Sequence, residues 1–343
     1  MRNTTEGDAF DPIKHTFYSL FFITSLTGNS LIINIVYKNA NKKMRTTMNL
    51  FVVNMAISDL LTAIIPLPLD MAVNIKGQWP FNRQSIAGLV LCKTISVAWN
   101  LQSSVSIYLI IIIGFDRFFA VFFPTRRPVT SRRPSVVLMI IWASCILFVI
   151  PFAIGSTVVV VTNKTTCLPK IPKFFPEFNY LFYTFLIILP TITVFALYPA
   201  ILVKLWRRKI PGNPSTLNQE LRERTNRKVT FMATALMISY GISWFPLHFH
   251  MIMILIRPSY GSEFGGQIPI TFILTYASGA LSSIVCIMFN SNFRTALWAL
   301  FRPLYRPCSV CAKSKRNSAC YQIEVFTLAK TRTDPNLKIA PCR

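Results

Sequence analysis

Seven stretches of the chain are almost purely apolar, and each is closed at both ends by charge, proline or glycine. They run approximately over Phe17–Tyr37, Asn49–Ile75, Cys92–Phe122, Pro134–Ile154, Tyr180–Trp206, Val229–Ile256 and Ile268–Phe289. A hydrocarbon core about 30 Å thick is crossed by roughly 20 helical residues, so each stretch predicts a transmembrane helix. Helices are favoured there because a helix satisfies its own backbone hydrogen bonds in lipid. The expected fold is an all-α membrane protein, a bundle of seven transmembrane helices. Connections are short, the longest inner one being Arg207–Lys228, and no internal repeat is visible. Past the last stretch, Phe293, Leu297, Leu300 and Phe301 recur at helical spacing between Arg294 and Arg302. This pattern predicts a short amphipathic eighth helix near 291–301, lying in the inner interface. Between the fourth and fifth stretches, Ser156-Thr-Val-Val-Val-Val-Thr-Asn-Lys-Thr-Thr-Cys167 holds two strand-forming runs around Asn163-Lys164, which predicts a β-hairpin. The organisation is then an outer N-terminal segment at 1–16, the bundle with its eighth helix at 17–301, and an inner tail at 302–343.

Composition agrees with this pattern. Hydrophobic residues make up 52% of the 343 and charged residues only 14%, too few charges to cover a soluble globule of that length. Lys and Arg accumulate on the cytoplasmic side of short loops. With the N-terminus outside, the outer segments hold nine of the 36 (Arg2, Lys14, Lys76, Arg83, Lys93, Lys164, Lys170, Lys173 and Arg257) and the inner side holds the other 27. The formal charge of +24 thus belongs mainly to the cytoplasmic face, where anionic lipid and partner proteins meet it. Nucleic acid is set aside as a partner, because the bases are divided among loops separated by membrane spans. The first sixteen residues lack an apolar h-region, so no cleavable signal peptide is expected and the first span serves as the insertion signal. The glycosylation sequons at Asn3 and Asn163 both fall on the side assigned as outer.

The eight cysteines sort by compartment. Cys92 opens the third span at its outer end and Cys167 lies in the following outer loop, so both are on the oxidising side and can be joined. Cys145 and Cys286 lie within spans and read as packing residues. Cys308, Cys311 and Cys320 follow the last span on the reducing side. Cys308-x-x-Cys311 has no second pair or nearby His to complete a zinc site, which leaves juxtamembrane acylation as the preferred reading.

Several short motifs occur in order along the spans. They are Gly28-Asn29, Asn54-Met-Ala-Ile-Ser-Asp59-Leu, Asp116-Arg117-Phe118, Trp142, Pro190 with Tyr198, and Trp244-Phe-Pro246. Together with the staple from Cys92 to Cys167, this series resembles the rhodopsin family of G-protein-coupled receptors from about Gly28 to Arg302. Trp79-Pro-Phe81 and the Pro66-Leu-Pro68 bend are similar to features of its neuropeptide receptors. The resemblance implies a plasma-membrane receptor that binds an extracellular ligand and activates heterotrimeric G proteins, with arrestin and receptor kinases as further partners; Ser314 and Ser318 read either as tail phosphorylation sites or equally as unmodified linker residues. It implies that Asp116 neutralises Arg117 at rest, and that Arg117, with Tyr198, engages the G protein once released. The plainer reading of Arg117 is a snorkelling anchor at the helix end. Phe118 replaces the family's more usual Tyr, and Asn226 stands where many relatives carry an acid for the same Arg. Trp244 over the Pro246 bend, with Tyr240 one turn inward, is the expected activation switch.

Asp59 is an ionisable group at bilayer depth, which by default marks function. The resemblance implies an allosteric sodium ion held by Asp59, Ser106, Ser278 and Ser282; the alternative is a neutral Asp59 hydrogen-bonded to Asn29. The seventh span departs furthest from the family: its Asn-Pro-x-x-Tyr element falls on Ser282-Ser283-Ile-Val-Cys286, without Asn, Pro or Tyr. A receptor that scavenges ligand or couples to arrestin, with weak or no G-protein activation, is the alternative this motivates. Retinal is not expected as a cofactor, because Ile268–Phe289 contains no Lys for a Schiff base and Tyr276 stands at its place. Amine ligands are disfavoured because Trp99 occupies the position of the Asp on which their receptors rely. A peptide remains, with Asp70, Trp99, Asn100, Ser103, His248, Phe272 and Tyr276 as pocket residues beside the switch Trp. Asp70 would pair either a basic ligand group or Lys76 or Lys93, and His248 reads equally as a packed core residue. A transporter would show paired broken helices and mid-membrane charges in two related halves, and a channel would show pore-lining polar rings. Neither pattern is evident, and no nucleophile, base and orienting group converge as an enzyme requires.

Overall fold

The structure is a computed structural model and describes residues 12–38, 46–123, 129–161, 163–168, 184–207, 217–257 and 268–290, with positions 181, 259, 260, 293–295, 297 and 298. Its elements are α1 (Pro12–Lys38), α2 (Thr47–Ile64), α3 (Pro66–Lys76), α4 (Ile86–Phe122), α5 (Val129–Arg132), α6 (Pro134–Gly155), β1 (Thr157–Val161), β2 (Lys164–Leu168), a π-helical turn (Thr184–Ile188) leading into α7 (Leu189–Arg207), α8 (Leu217–Ile256) and α9 (Ile268–Phe289). Among the described residues, seven spans are long and apolar enough to cross a membrane, with α2 and α3 together making the second. All described residues but Trp298 fall in one compact unit, Met1–Leu297.

Local chemistry sets several of these ends. Thr46 caps α2, its hydroxyl accepting from Asn49 N, and Ser85 caps α4 by accepting from Gly88 N; each satisfies a backbone donor that a helix start leaves unpaired. Pro66 ends the ladder of α2 and opens α3 as its first residue. At the far end of α3, Gly77 turns the chain at φ 63°, a left-handed conformation that glycine adopts without penalty. Lys93 donates to the carbonyls of Ala153 and Ile154 at 2.7 and 2.8 Å, so it closes the C-terminus of α6, where cations are favoured.

Six of the expected spans are recovered in full, several with extensions; the fifth, expected over Tyr180–Trp206, is seen from the turn at Thr184 into α7, and residues 180, 182 and 183 lie outside the described residues. The third begins at Ile86 rather than near Cys92. The sixth reaches back to Leu217, so half of the connection expected over Arg207–Lys228 is helix. Its charge-rich sequence marked where the apolar stretch starts, but a helix continues past that point if its propensities allow. The π-helical turn over Thr184–Ile188 was not expected, nor was the short α5.

The bundle is packed around third-span residues. Leu109, Ile110 and Ile113 are fully buried among Phe51 of the second span, Ile201 of the fifth, and Met232 and Trp244 of the sixth. The outward-facing side chains are apolar as well, among them Met139, Ile140, Leu147, Ile192, Phe195, Ile242 and Phe245. An apolar exterior over a packed interior is what a lipid solvent requires. Small residues allow close helix approach where hydrophobic driving force is absent. A Cβ on Gly28 would fall 2.3 Å from Ser283 Oγ, and one on Gly279 would fall 2.7 Å from Ser25 Oγ, so α1 and α9 meet nearly backbone to backbone. Asn29 reinforces that seam by donating to the Gly279 carbonyl at 3.0 Å. The alternative bond from Asn29 to Asp59 is therefore corrected: the Asn29 amide is committed to α9 and to Ser25. Between α6 and α2, Trp142 Nε1 donates to Asn54 Oδ1 at 3.0 Å. α9 runs through Ser283 as one α-helix.

The hairpin forms as expected. β1 and β2 pair antiparallel from Thr157↔Leu168 to Val161↔Lys164, and Asn163 makes the turn at φ 62°. A disulfide joins Cys92 to Cys167, with Cα atoms 5.5 Å apart. Trp79 N donates to the Thr165 carbonyl at 2.7 Å and Thr165 Oγ1 donates to the Trp79 carbonyl at 3.0 Å, so the loop carrying Trp79-Pro-Phe81 docks the hairpin a second time. Residues 293–295, 297 and 298 are helical and Phe293 is fully buried, which places the short eighth helix. The remainder of 291–301, Asn3, and the acylation candidates Cys308 and Cys311 lie outside the described residues.

Candidate functional site

Functional side chains occupy three levels along the bundle axis. Nearest the disulfide end, the Tyr276 hydroxyl donates to Asp70 Oδ2, and Tyr18 packs beside Tyr276 with ring centroids 5.9 Å apart while accepting from Asn74 at 3.1 Å. Among the described residues Asp70 has no Lys, Arg or His within ion-pair distance. Neither Lys76 nor Lys93 pairs with it, and Lys93 is used by the α6 carbonyls instead. An acid in an apolar setting without a countercharge retains a strong demand for a cation.

Below it lies an aromatic floor. Trp99 packs at a tilt against Trp244 with ring centroids 4.8 Å apart and against Phe272 at 5.2 Å, and its Nε1 donates to Thr275 Oγ1 at 3.2 Å. His248 stacks on Trp244 at 5.4 Å. It faces inward as its four-residue spacing from Trp244 implied, and its Nε2 is buried without a hydrogen-bond partner among the described residues. Trp244 Nε1 is likewise unpartnered. Tyr240 stacks beneath Trp244 at 6.0 Å, and its hydroxyl meets Ser103 Oγ at 3.0 Å and the Ser103 carbonyl at 3.3 Å. Ser103, expected at the ligand pocket, is therefore tied to the switch, one turn deeper. Asn100 is buried with its amide turned back onto the Ser96 carbonyl of its own helix. Pro246 lies within α8 beside Trp244.

The middle level centres on Asp59, which is 2% exposed. Gln102 Nε2 donates to its Oδ1 at 2.8 Å and Ser282 Oγ to its Oδ2 at 2.5 Å. The Gln102 amide also reaches Ser106 Oγ at 3.3 Å, and Ser106 contacts Ser58 Oγ at 3.5 Å. The expected set of Asp59, Ser106, Ser278 and Ser282 is thus brought together only in part. Ser282 touches the carboxylate, Ser106 reaches it through Gln102, and Ser278 is buried without a bond to it. Asp59 lies against Gly279 (a Cβ there would sit 3.3 Å from Asp59 Cβ) and against Ser282, three residues along the same face; Ser278 is one step around the helix. Gln102 is the participant that sequence reasoning missed. It sits four residues before Ser106 and so one turn above it, a spacing that could have found it. Ser25, Asp59, Thr62, Ala63, Leu67, Gln102, Thr275, Tyr276 and Gly279 enclose a cavity offering about 10 Å³ to the centre of a water-sized sphere, room for on the order of one water.

At the far end, Arg117 pairs with Asp116, their side chains 13% and 8% exposed. Arg117 Nε is buried without a partner among the described residues. Thr130 Oγ1 lies 3.5 Å from Asp116 Oδ1, at the outer limit of a hydrogen bond. Tyr198 does not meet Arg117. Its hydroxyl donates to the Ile110 carbonyl at 2.9 Å, held there because Gly114 lets the Tyr198 ring press onto α4, where a Cβ would fall 2.9 Å from it. Phe118 stacks on Phe122 at 4.4 Å, an apolar use of the position after the Arg.

This arrangement can be placed among known proteins. The sequence model of the family described as "7 transmembrane receptor (rhodopsin family)" matches residues 28–287. The chain belongs to that family. Neuropeptide FF receptor 1 of Homo sapiens is 26% identical over 309 residues, covering 83% of this chain and 69% of that receptor. The substance-P receptors of Canis lupus familiaris and Homo sapiens are each 26% identical over 292 residues, covering 83% of this chain and 70% of theirs. Membership accounts for the multi-pass architecture and for a receptor rather than an enzyme, and gives the Asp116–Arg117 pair and the Trp244 floor a common setting.

Proposed function

We propose that the chain is a cell-surface receptor that binds an extracellular peptide and activates heterotrimeric G proteins, its N-terminus outside and its C-terminus in the cytoplasm. The charge asymmetry of the loops supports the orientation. The relatives named for neuropeptide FF and substance P support a peptide. A hairpin fixed to the bundle rim at both Cys92 and Trp79 suits a wide, open pocket. The observation that carries coupling is the Asp116–Arg117 pair, whose guanidinium is only partly satisfied. Such a pair is a two-state element: breaking it is unfavourable unless a partner supplies new acceptors.

Ligand would bind between Asp70 and the floor of Trp99, Trp244 and Phe272, with His248 Nε2 as a polar contact. Preference for the active bundle shifts the population by the ligand's differential affinity, and Tyr240 passes the change on by leaving Ser103. Asp70, an acid without a cationic partner among the described residues, selects a basic group on the peptide. Arrestin and receptor kinases act on the tail after activation. The deciding experiment compares G-protein activation by this chain and by Arg117→Ala at matched surface expression, with and without a peptide library. A peptide-evoked signal lost in the variant supports the reading. Peptide binding with arrestin recruitment but no G-protein signal in either overturns coupling in favour of the arrestin-coupled alternative.

A further inference from the structure

The family resemblance brings with it a sodium ion beside Asp59, and the residues present do not fit one. A cation at this level would sit between the Asp59 carboxylate and Ser106 Oγ, drawing on oxygen acceptors from both. Here that interval holds an amide nitrogen. Gln102 Nε2 lies 2.8 Å from Asp59 Oδ1 and 3.3 Å from Ser106 Oγ. Its two N–H groups face the two oxygens that an ion would need. The other carboxylate oxygen accepts from Ser282 Oγ, so both Asp59 oxygens have donors from side chains. The amide is also oriented by chemistry, since turning it would set Oε1 against a carboxylate oxygen, acceptor to acceptor. Oε1 is instead buried without a partner among the described residues, as is Thr62 Oγ1. Both residues line the small cavity next to Asp59, which has polar walls and room for about one water.

We infer that the Gln102 carboxamide takes the place of the ion, so that this receptor is indifferent to sodium where the resemblance would have it sodium-sensitive. The amide dipole supplies a partial positive charge to Asp59 and ties the third span to the second, while Ser282 ties the seventh span to the same carboxylate, so fixed side chains do structurally what a diffusible cation would do. The energetic logic is that a buried carboxylate must be met by donors or by charge. A covalently attached donor meets that need at every salt concentration, whereas stabilisation by an ion grows with the logarithm of one plus its concentration over its Kd and vanishes as the ion is withdrawn.

The test is thermal unfolding of the full-length receptor in detergent, in sodium chloride and in choline chloride at equal ionic strength, which separates site binding from screening. The readout needs no ligand and no G protein, so it stands apart from the peptide-receptor reading. The native chain is expected to show the same Tm in both salts, and Gln102→Ala to show a Tm several degrees higher in sodium than in choline. Gln102→Asn, which keeps the amide but withdraws it by one methylene, serves should the alanine variant not reach the membrane. A sodium-selective stabilisation of the native chain that Asp59→Asn abolishes overturns the inference. So does a folded Gln102 variant that remains indifferent to sodium. If neither variant folds, the native chain alone decides: indifference sustains the inference and sodium selectivity ends it.

Discussion

Gly28 and Ser283 touch where the first and seventh helices cross: a Cβ built on Gly28 would lie 2.3 Å from Ser283 Oγ and 2.7 Å from Ser283 Cβ. Ser283 stands at the proline position of the family's seventh-span element. Its hydroxyl turns back to the Ala280 carbonyl at 2.9 Å, and the helix carries on unbroken. A proline would have removed one ladder bond and bent the helix. In its absence, the close approach allowed by Gly28 and Gly279 fixes where α9 lies against α1.

Gly28→Ala is therefore expected to destabilise the receptor. Overpacking of this kind typically costs about 1–3 kcal/mol, seen as a lower Tm and reduced surface expression. Ser283→Gly alone should weaken α9 by about 0.5–1 kcal/mol through backbone entropy. The double variant should be more stable than the sum of the two losses, because Ser283→Gly removes both atoms that the new methyl meets. A double-mutant cycle on Tm checks this, and strict additivity would show that the contact is not limiting.

Tyr240→Phe should raise signalling in the absence of ligand. The hydroxyl bonds Ser103 across the third and sixth spans, and the ring packs under Trp244. Phenylalanine keeps the packing and deletes the bond. If the bond belongs to the resting form, losing about 0.5–1.5 kcal/mol shifts the population roughly 2- to 10-fold toward the active form. Nucleotide exchange on G protein, measured without ligand at matched expression, reads the change. An unaltered basal rate would place the bond in both states.

The rim of the pocket offers a test that does not depend on signalling. Cys92→Ala and Cys167→Ala should each lower Tm by a similar amount, and the double variant should be no worse than either, since all three lose one bond. The loss is expected at about 2–4 kcal/mol. Thr165→Val should fall well short of this, because it removes only the hydroxyl bond to Trp79 and leaves the backbone bond at 2.7 Å in place. Thermal shifts of the four proteins beside the native chain rank them.

Features set by local composition were the most legible in the sequence. Spans showed themselves because lipid demands about 20 apolar residues, the hairpin because β-branched runs flank Asn163-Lys164, and the Asp116–Arg117 pair because charge at the edge of an apolar stretch has few roles. What stayed hidden depended on which turn of one helix faces which turn of another. Ser278 and Ser282 share a face in sequence, yet Gly279 draws Asp59 close and leaves Ser282 alone in reach. Gln102 carries no charge and lies in an apolar helix; its spacing from Ser106 puts it on the right face, and the structure adds that its amide is on Asp59. Tyr276 could be placed by alignment of motifs, but not its donation to Asp70 from 206 residues away. The inner extension of α8 was obscured by the charges that made it look like a loop.

Asp70 allows the ligand's chemistry to be tested once a peptide is found. The carboxylate accepts from Tyr276 and has no cation within reach among the described residues, so a basic peptide group is expected to supply one. A hydrogen bond to a charged group contributes about 1.5–3 kcal/mol, which is roughly 10- to 100-fold in affinity. Asp70→Asn should therefore lose that much for the native peptide, and the native receptor should lose as much for a peptide whose basic side chain is replaced by a neutral isostere, citrulline where that residue is Arg. Combining the two changes should lose little more than either alone. Tyr276→Phe behaves differently: it removes a donor from the carboxylate of the free receptor, leaving that acid less satisfied until ligand arrives, so affinity for the basic peptide should hold or rise. Radioligand competition across these receptors and both peptides gives the coupling directly. Independent losses from Asp70→Asn and from the neutral isostere would mean that the peptide's charge is read elsewhere, and Asp70 would then be a structural partner of Tyr276 in joining the second and seventh spans.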